Sequence, residues 1–308
     1  MRAARTVSLA MLALAGLVGV GMASVYAASE WQLRRSRPLP VVAFDAGKAQ
    51  VDLGEGRRMS RVLGCWAGCH GREGEGGSID MDGYYSVSAP TLSSVLPAYS
   101  DAELVRLVRY GVKRDGSSAL GMISYTFYPL SDADLANVIA HLRKQPALAP
   151  QERHRSVAFM ARWRLLAGAW QLAADQVDPA RPRWGELPRT NAFERGRYLA
   201  SVTCSECHGL DFRGNRFADN TYDGGPPLAV LAAYDADAFR RLMRTGNGID
   251  GRDLGEMGWV ARNGFVNFTD REIADIYEFL RRDQGLPMAV SASDARESGA
   301  GPRPGNVM

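Results

Sequence analysis

What this 308-residue sequence lacks already removes several classes of function. It has no run of basic residues and a net charge of only +3, which excludes nucleic acid as the main partner. Lysine is scarce: Lys48, Lys113 and Lys144 stand against 34 arginines, a bias of genome composition with little functional weight. No alternating apolar and polar pattern competes with the helical one, so an all-α fold is expected. No cysteine closes the N-terminal apolar run, as a lipoprotein would require. Only four cysteines and four histidines are present, yet His70 and His208 each directly follow a cysteine.

With 46% hydrophobic residues, the chain can bury one or two ordinary cores. Residues 6–29 are uncharged and follow Arg2 and Arg5, which makes residues 1–30 an export signal or membrane anchor. Val25, Tyr26 and Ala27 offer a cleavage pattern, but the apolar region is longer than the roughly 7 to 15 residues of a signal peptide, so an uncleaved anchor is preferred. Arg34, Arg35 and Arg37 follow closely, and charge alone leaves the orientation open.

The rest of the chain repeats itself. Cys69, His70 and Gly71 match Cys207, His208 and Gly209 at an offset of 138; Tyr99, Gly111, Asp115, Gly116 and Met122 match Tyr234, Gly246, Asp250, Gly251 and Met257 at 135; Asp132 and Leu142 return to 138. Each copy has helical stripes, among them Leu104, Leu107 and Val108 against Phe239, Leu242 and Met243, and Leu135, Val138, Ile139 and Leu142 against Ile273, Ile276, Tyr277 and Leu280. Ser100 with Glu103, Ser131 with Asp134 and Thr269 with Glu272 mark helix starts. The expected layout is a linker at 31–53, a first domain at 54–146, a linker with one amphipathic helix at 147–190, a second domain at 191–287 and a disordered tail at 288–308. For Trp163 and Trp170 in the second linker, packing between domains competes with a membrane-surface or partner contact.

Cys204, Cys207 and His208 form C-x-x-C-H, the attachment sequence of c-type haem. On one helical turn two thiols can each form a thioether with a haem vinyl while the next imidazole coordinates iron. A redox dithiol would need a strand-turn-helix context, and zinc a second ligand pair; neither is present. Haem attachment of this kind takes place on the periplasmic side in bacteria, which settles the orientation. The first copy has C-x-x-x-C-H, with Cys65, Cys69 and His70, and Trp66 where the first thiol normally sits. Covalent haem ranks first there; a single thioether through Cys69, a Cys65–Cys69 disulfide, or a lost cofactor are the alternatives.

A methionine sulfur opposite the histidine would close the iron site for electron transfer. Met122 and Met257 are the methionines that correspond between copies, and matched positions outweigh their ordinary role in core packing. Met243 reads as core, and Met59 and Met81 have no counterpart. His141 matches Phe279, which cannot ligate, and so reads as packed or at the solvent edge, as does His154.

The sequence Gly-Arg-Tyr-Leu-Ala before CSECHG, the later Pro-Pro-Leu, Arg-Thr-Gly, Asp-Gly-Arg and Leu-Gly-Glu-Met, and the anchor followed by Glu30, Trp31, Gln32 and Leu33 together resemble membrane-anchored dihaem cytochromes c that serve periplasmic alcohol and aldehyde dehydrogenases. The resemblance implies two tandem class I cytochrome c domains of three main helices each, and two haems c. It also implies that the backbone carbonyls of Pro90 and Pro226 accept the ring N–H of the proximal histidines. The function it implies is relay of single electrons between a periplasmic dehydrogenase or other redox partner, such as a terminal oxidase or quinone-linked complex, and the respiratory chain. Rival readings are a dihaem peroxidase or thiosulfate-type oxidoreductase, and a docking subunit with one functional haem. The location implied is the periplasmic side of the bacterial inner membrane, or soluble periplasm after signal cleavage.

Overall fold

The computed structural model describes residues 2–38, 40, 44, 50–65, 68–81, 83–215 and 224–287. Trp66 and the tail 288–308 lie outside the described residues, as does part of the 31–53 linker. Two compact units divide mainly between Glu186 and Leu187 along the chain, with Arg61–Leu63 grouped with the second.

The N-terminal apolar stretch is one long helix, α1 (Arg2–Arg34), whose apolar part is exposed along its length. After it the first unit holds α2 (Leu53–Val62), a hairpin of β1 (Gly77–Met81) and β2 (Tyr85–Ala89), the one-turn α3 (Leu92–Val95), α4 (Asp101–Tyr110), the one-turn α5 (Ser124–Phe127), α6 (Asp132–Arg143), β3 (Arg155–Val157) and α7 (Phe159–Leu166). The second unit holds α8 (Ala192–Thr203), the one-turn α9 (Ser205–His208), α10 (Ala236–Thr245), α11 (Glu256–Asn263) and α12 (Asp270–Asp283).

Helix starts lie where the capping residues mark them. Ser100 with Glu103 and Thr269 with Glu272 form reciprocal capping boxes, and Ser131 accepts from the Asp134 N–H. Asn191 with Glu194 adds a third box at α8. Each box satisfies two backbone N–H groups that a helix otherwise leaves unpaired.

Matched residues make matched contacts in the two units. A Cβ on Gly56 of α2 would lie 2.1 Å from the Asn137 carbonyl of α6, and one on Gly196 of α8 would lie 1.9 Å from the Asp275 carbonyl of α12. At both crossings the backbones approach closer than any side chain allows. Arg143 donates to the Leu96 and Tyr99 carbonyls, as Arg281 does to those of Leu231 and Tyr234. Arg109 pairs with Asp132, and Arg244 with Asp270, each at 2.7 Å.

The all-α expectation needs one correction. The first unit contains an antiparallel sheet in the order β1-β2-β3, with Ile79 opposite Val87 and Val87 opposite Arg155. Tyr85, Val87 and Ala89 do alternate with Ser86 and Ser88, but over five residues inside a glycine-rich stretch the signal is short. The linker expectation changes as well, since residues 147–186 belong to the first unit. Val157, Ala161, Leu165 and Leu172 are buried with Leu33 at the end of α1. Trp170 stacks on Tyr85 and meets Tyr84 edge-on, so it packs within this unit, whereas Trp163 stays exposed.

Candidate functional site

The second C-x-x-C-H lies where α8 passes into α9. The His208 N–H donates to the Cys204 carbonyl at 3.0 Å, so both thiols and the imidazole ride on one helical turn, as the motif demands. His208 Nδ1 lies 2.7 Å from the Pro226 carbonyl. A carbonyl only accepts, so Nδ1 carries the proton and Nε2 keeps its lone pair for a metal. Gly225 lies against the ring: a Cβ there would sit 2.6 Å from Nδ1. At this site the residue before Pro226 therefore has no room for a side chain.

The first site repeats this arrangement. His70 Nδ1 meets the Pro90 carbonyl at 2.9 Å, and the residue before that proline is Ala89 of β2. Beyond each histidine the chain turns alike: Gly76 donates to the His70 carbonyl and Gly214 to the His208 carbonyl, both at 2.9 Å. Burial lowers the pKa of both imidazoles, and the proline carbonyls oppose this, so both rings favour the neutral form that a metal ligand needs.

Cys65, Cys204 and Cys207 form no disulfide bond. Burial pushes Cys65 and Cys207 up to about 12 and Cys204 up to about 11. Protonated, buried thiols are poor thiolate nucleophiles near neutral pH. Among the described residues no group of three or more His, Cys, Asp or Glu side chains could hold a metal by itself. The donor set of two thiols and one oriented imidazole fits a covalently attached porphyrin.

Met122 lies just before α5, and Met257 in the first turn of α11; both are half-buried. The loops leading to them follow one path. An isolated bridge joins Val112 to Ser118 in one unit and Asn247 to Asp253 in the other. The Ala119 N–H donates to Gly111, and the Leu254 N–H to Gly246. Each methionine follows three residues later. His141 is buried in α6 beside Gln145, and both ring nitrogens of His154 bond hydroxyls of β2, Ser86 and Ser88, so these two histidines serve local structure.

The cytochrome c family profile matches residues 193–283. This chain carries a cytochrome c domain. Such a domain binds haem c and transfers electrons, and its bounds enclose Cys204, Cys207, His208, Pro226 and Met257. Around the cytochrome c domain the similarity runs wider. The chain is 25% identical over 307 residues to a nicotinate dehydrogenase subunit of Pseudomonas putida, covering 92% of this chain and 25% of that protein. It is 24% identical over 275 residues to the fructose dehydrogenase cytochrome subunit of Gluconobacter japonicus, covering 80% and 55%. It is 22% identical over 275 residues to the cytochrome c subunit of the quinone alcohol dehydrogenase of Gluconacetobacter polyoxogenes, covering 79% and 58%. The chain thus spans from a quarter to under three fifths of the length of these relatives.

Two contributors lie outside the motifs. The glycine pair before Pro226 is a legible signal for close approach to a ring, since only a residue without Cβ fits there. The Arg109–Asp132 and Arg244–Asp270 pairs join residues that the repeat aligns, but nothing in the spacing says that they meet.

Proposed function

We propose that this chain is a membrane-anchored dihaem c-type cytochrome that relays single electrons between a periplasmic dehydrogenase and the respiratory chain. The observation that carries this reading is the pair of histidine-to-proline-carbonyl bonds, at 2.7 Å for His208 and 2.9 Å for His70, in matched places after matched cysteines. Cys204, Cys207 and His208 would hold the second haem, and Cys65, Cys69 and His70 the first. The Pro90 and Pro226 carbonyls hold each imidazole in the tautomer that presents Nε2 and make it a stronger donor. Met122 and Met257 would supply the second iron ligands, whose sulfurs would raise the potential and leave no place for a substrate. Haem c held in these sites supplies a reversible one-electron iron couple.

Relatives named as cytochrome subunits of fructose and alcohol dehydrogenases support a dehydrogenase as the electron donor. α1 supports tethering on the periplasmic side, where thioether attachment takes place. The intact mass of the membrane-extracted protein tests the reading: it should equal the full chain plus two haems. One haem would favour a docking role for the first unit. Met122→Ala and Met257→Ala should each change the visible spectrum of the ferric protein, and unchanged spectra would overturn the closed sites.

A further inference from the structure

The helix α7 has no face suited to water. At about 100° per residue, Phe159, Met160, Trp163, Leu166 and Ala167 fall within about 120° of arc. None carries a charge, and Met160 and Trp163 are 57% and 55% exposed. The opposite side carries Ala161 and Leu165, buried against Leu33. A surface helix ordinarily turns its charges outward. Here the helix has two charged residues, and both are engaged with the protein. Arg162 donates to Ser29 Oγ at 3.0 Å and reaches Glu30 at 3.2 Å, and Arg164 bonds the Tyr84 hydroxyl.

The position of α7 says what covers this face. Its Phe159 ring lies 6.2 Å from the Tyr26 ring of α1, and the Arg162 guanidinium lies 4.7 Å from that same ring. Tyr26 is three residues from the end of the uncharged run at 6–29. About 20 residues fill the hydrocarbon layer, which leaves the last turn of that run at headgroup depth. The outward face of α7 therefore meets α1 where a bilayer surface would be. The charge there is positive: the Glu30 carboxylate is shared among Arg34, Arg155 and Arg162, and Arg35 stands over the exposed Trp31 ring at 5.8 Å. Exposed aromatics beside excess arginine suit the headgroup layer of an anionic bilayer.

We propose that α7 lies flat in the headgroup layer of an anionic phospholipid membrane, with Phe159, Met160 and Trp163 inserted, and so holds the first unit down on the bilayer beside its anchor. This rests on reading α1 as membrane-spanning, and the test separates the two claims. The full haem-loaded chain is placed in vesicles of phosphatidylcholine and phosphatidylglycerol with a nitroxide on Met160→Cys, on Leu14→Cys within the anchor, or on the exposed Ala233→Cys of the second unit. Collision with membrane-soluble oxygen is compared with collision with a water-soluble nickel chelate.

The Met160 label should be about fivefold less accessible to nickel than the Ala233 label and open to oxygen, as for a residue buried at the acyl boundary. A Leu14 label in lipid with a Met160 label as open to nickel as Ala233 would overturn the α7 proposal and leave the anchor standing. Both labels open to nickel would overturn both. A Met160 label shielded from nickel and oxygen alike would mean that protein covers the face, and would overturn the lipid assignment.

Discussion

The two units hold their histidines alike and their cysteines differently. In the second, the Cys204 carbonyl accepts the His208 N–H, one helical turn fixes the order thiol, thiol, imidazole, and the cytochrome c profile covers the unit from residue 193 to 283. In the first, the spacing between cysteines is longer by one residue, a three-stranded sheet enters after the histidine, and the segment from Arg155 to Leu172 packs on the sheet and on the end of α1. The bond from His70 to Pro90 is nonetheless close in length to its counterpart, at 2.9 Å against 2.7 Å. Orientation of the imidazole is therefore insensitive to the covalent spacing, because the proline comes from a separate loop that closes over the ring. Thioether geometry belongs to the helical turn alone.

The largest break in this comparison comes from the thiols. Cys204→Ala with Cys207→Ala should remove one covalent haem from the intact mass, and Cys65→Ala with Cys69→Ala the other. The single substitutions are the sharper test. Each thioether saturates a vinyl group, so losing one lengthens the conjugated system and moves the reduced absorption band to longer wavelength. Cys65→Ala and Cys204→Ala should give equal shifts. No shift for Cys65→Ala would mean that the first haem hangs from Cys69 alone.

A smaller effect tests whether the helix crossings are equivalent. Alanine at Gly56 or Gly196 gains about 1 kcal/mol of helix propensity. It also drives a Cβ to 2.1 Å from the Asn137 carbonyl or 1.9 Å from the Asp275 carbonyl. Backbone cannot rotate away as a side chain can, so the clash wins, with a net loss of about 1–3 kcal/mol expected. Urea unfolding followed by circular dichroism should show similar losses for the two variants. A loss confined to Gly196→Ala would mean that the crossing of α2 with α6 is loose and that the units are less alike than their backbones suggest.

What the sequence made legible was periodic or chemical. The stripes of α6 and α12 are buried as spaced: Leu135, Val138, Ile139 and Leu142 in one, Ile273, Ile276, Tyr277 and Leu280 in the other. The caps at Ser100, Ser131 and Thr269 start their helices because a side-chain oxygen can reach a free N–H only from that position. The stripe of α4 was less faithful: Val105 and Arg109 are buried, while Leu107 and Val108 remain partly open. Arg109 lies inside because Asp132 and the Leu130 carbonyl receive it, and partners so distant in sequence leave no local pattern. The sheet and the docking of α7 escaped for the same reason. β3 is three residues long, and its pairing with β2 spans some 70 positions of chain.

The smallest effect concerns a cap present in one unit and absent from the other. α4 begins with the reciprocal box of Ser100 and Glu103, whereas the matching α10 begins with Asp235 alone, since Ala238 stands where Glu103 does. The Ser100 backbone N–H, then its hydroxyl and the arginines Arg114 and Arg106, hold the Glu103 carboxyl below its ordinary value. A depressed carboxylate stabilises the fold above its unfolded pKa, and that contribution fades as pH falls through the folded value. Glu103→Gln should thus cost up to about 1 kcal/mol at neutral pH, the usual worth of such a cap. The gap to the parent should narrow as pH falls through and below the ordinary glutamate range. Urea midpoints across that range check it. A gap that persists unchanged in acid would mean that the side chain acts through packing, and that the missing charge at α10 makes no difference between the two units.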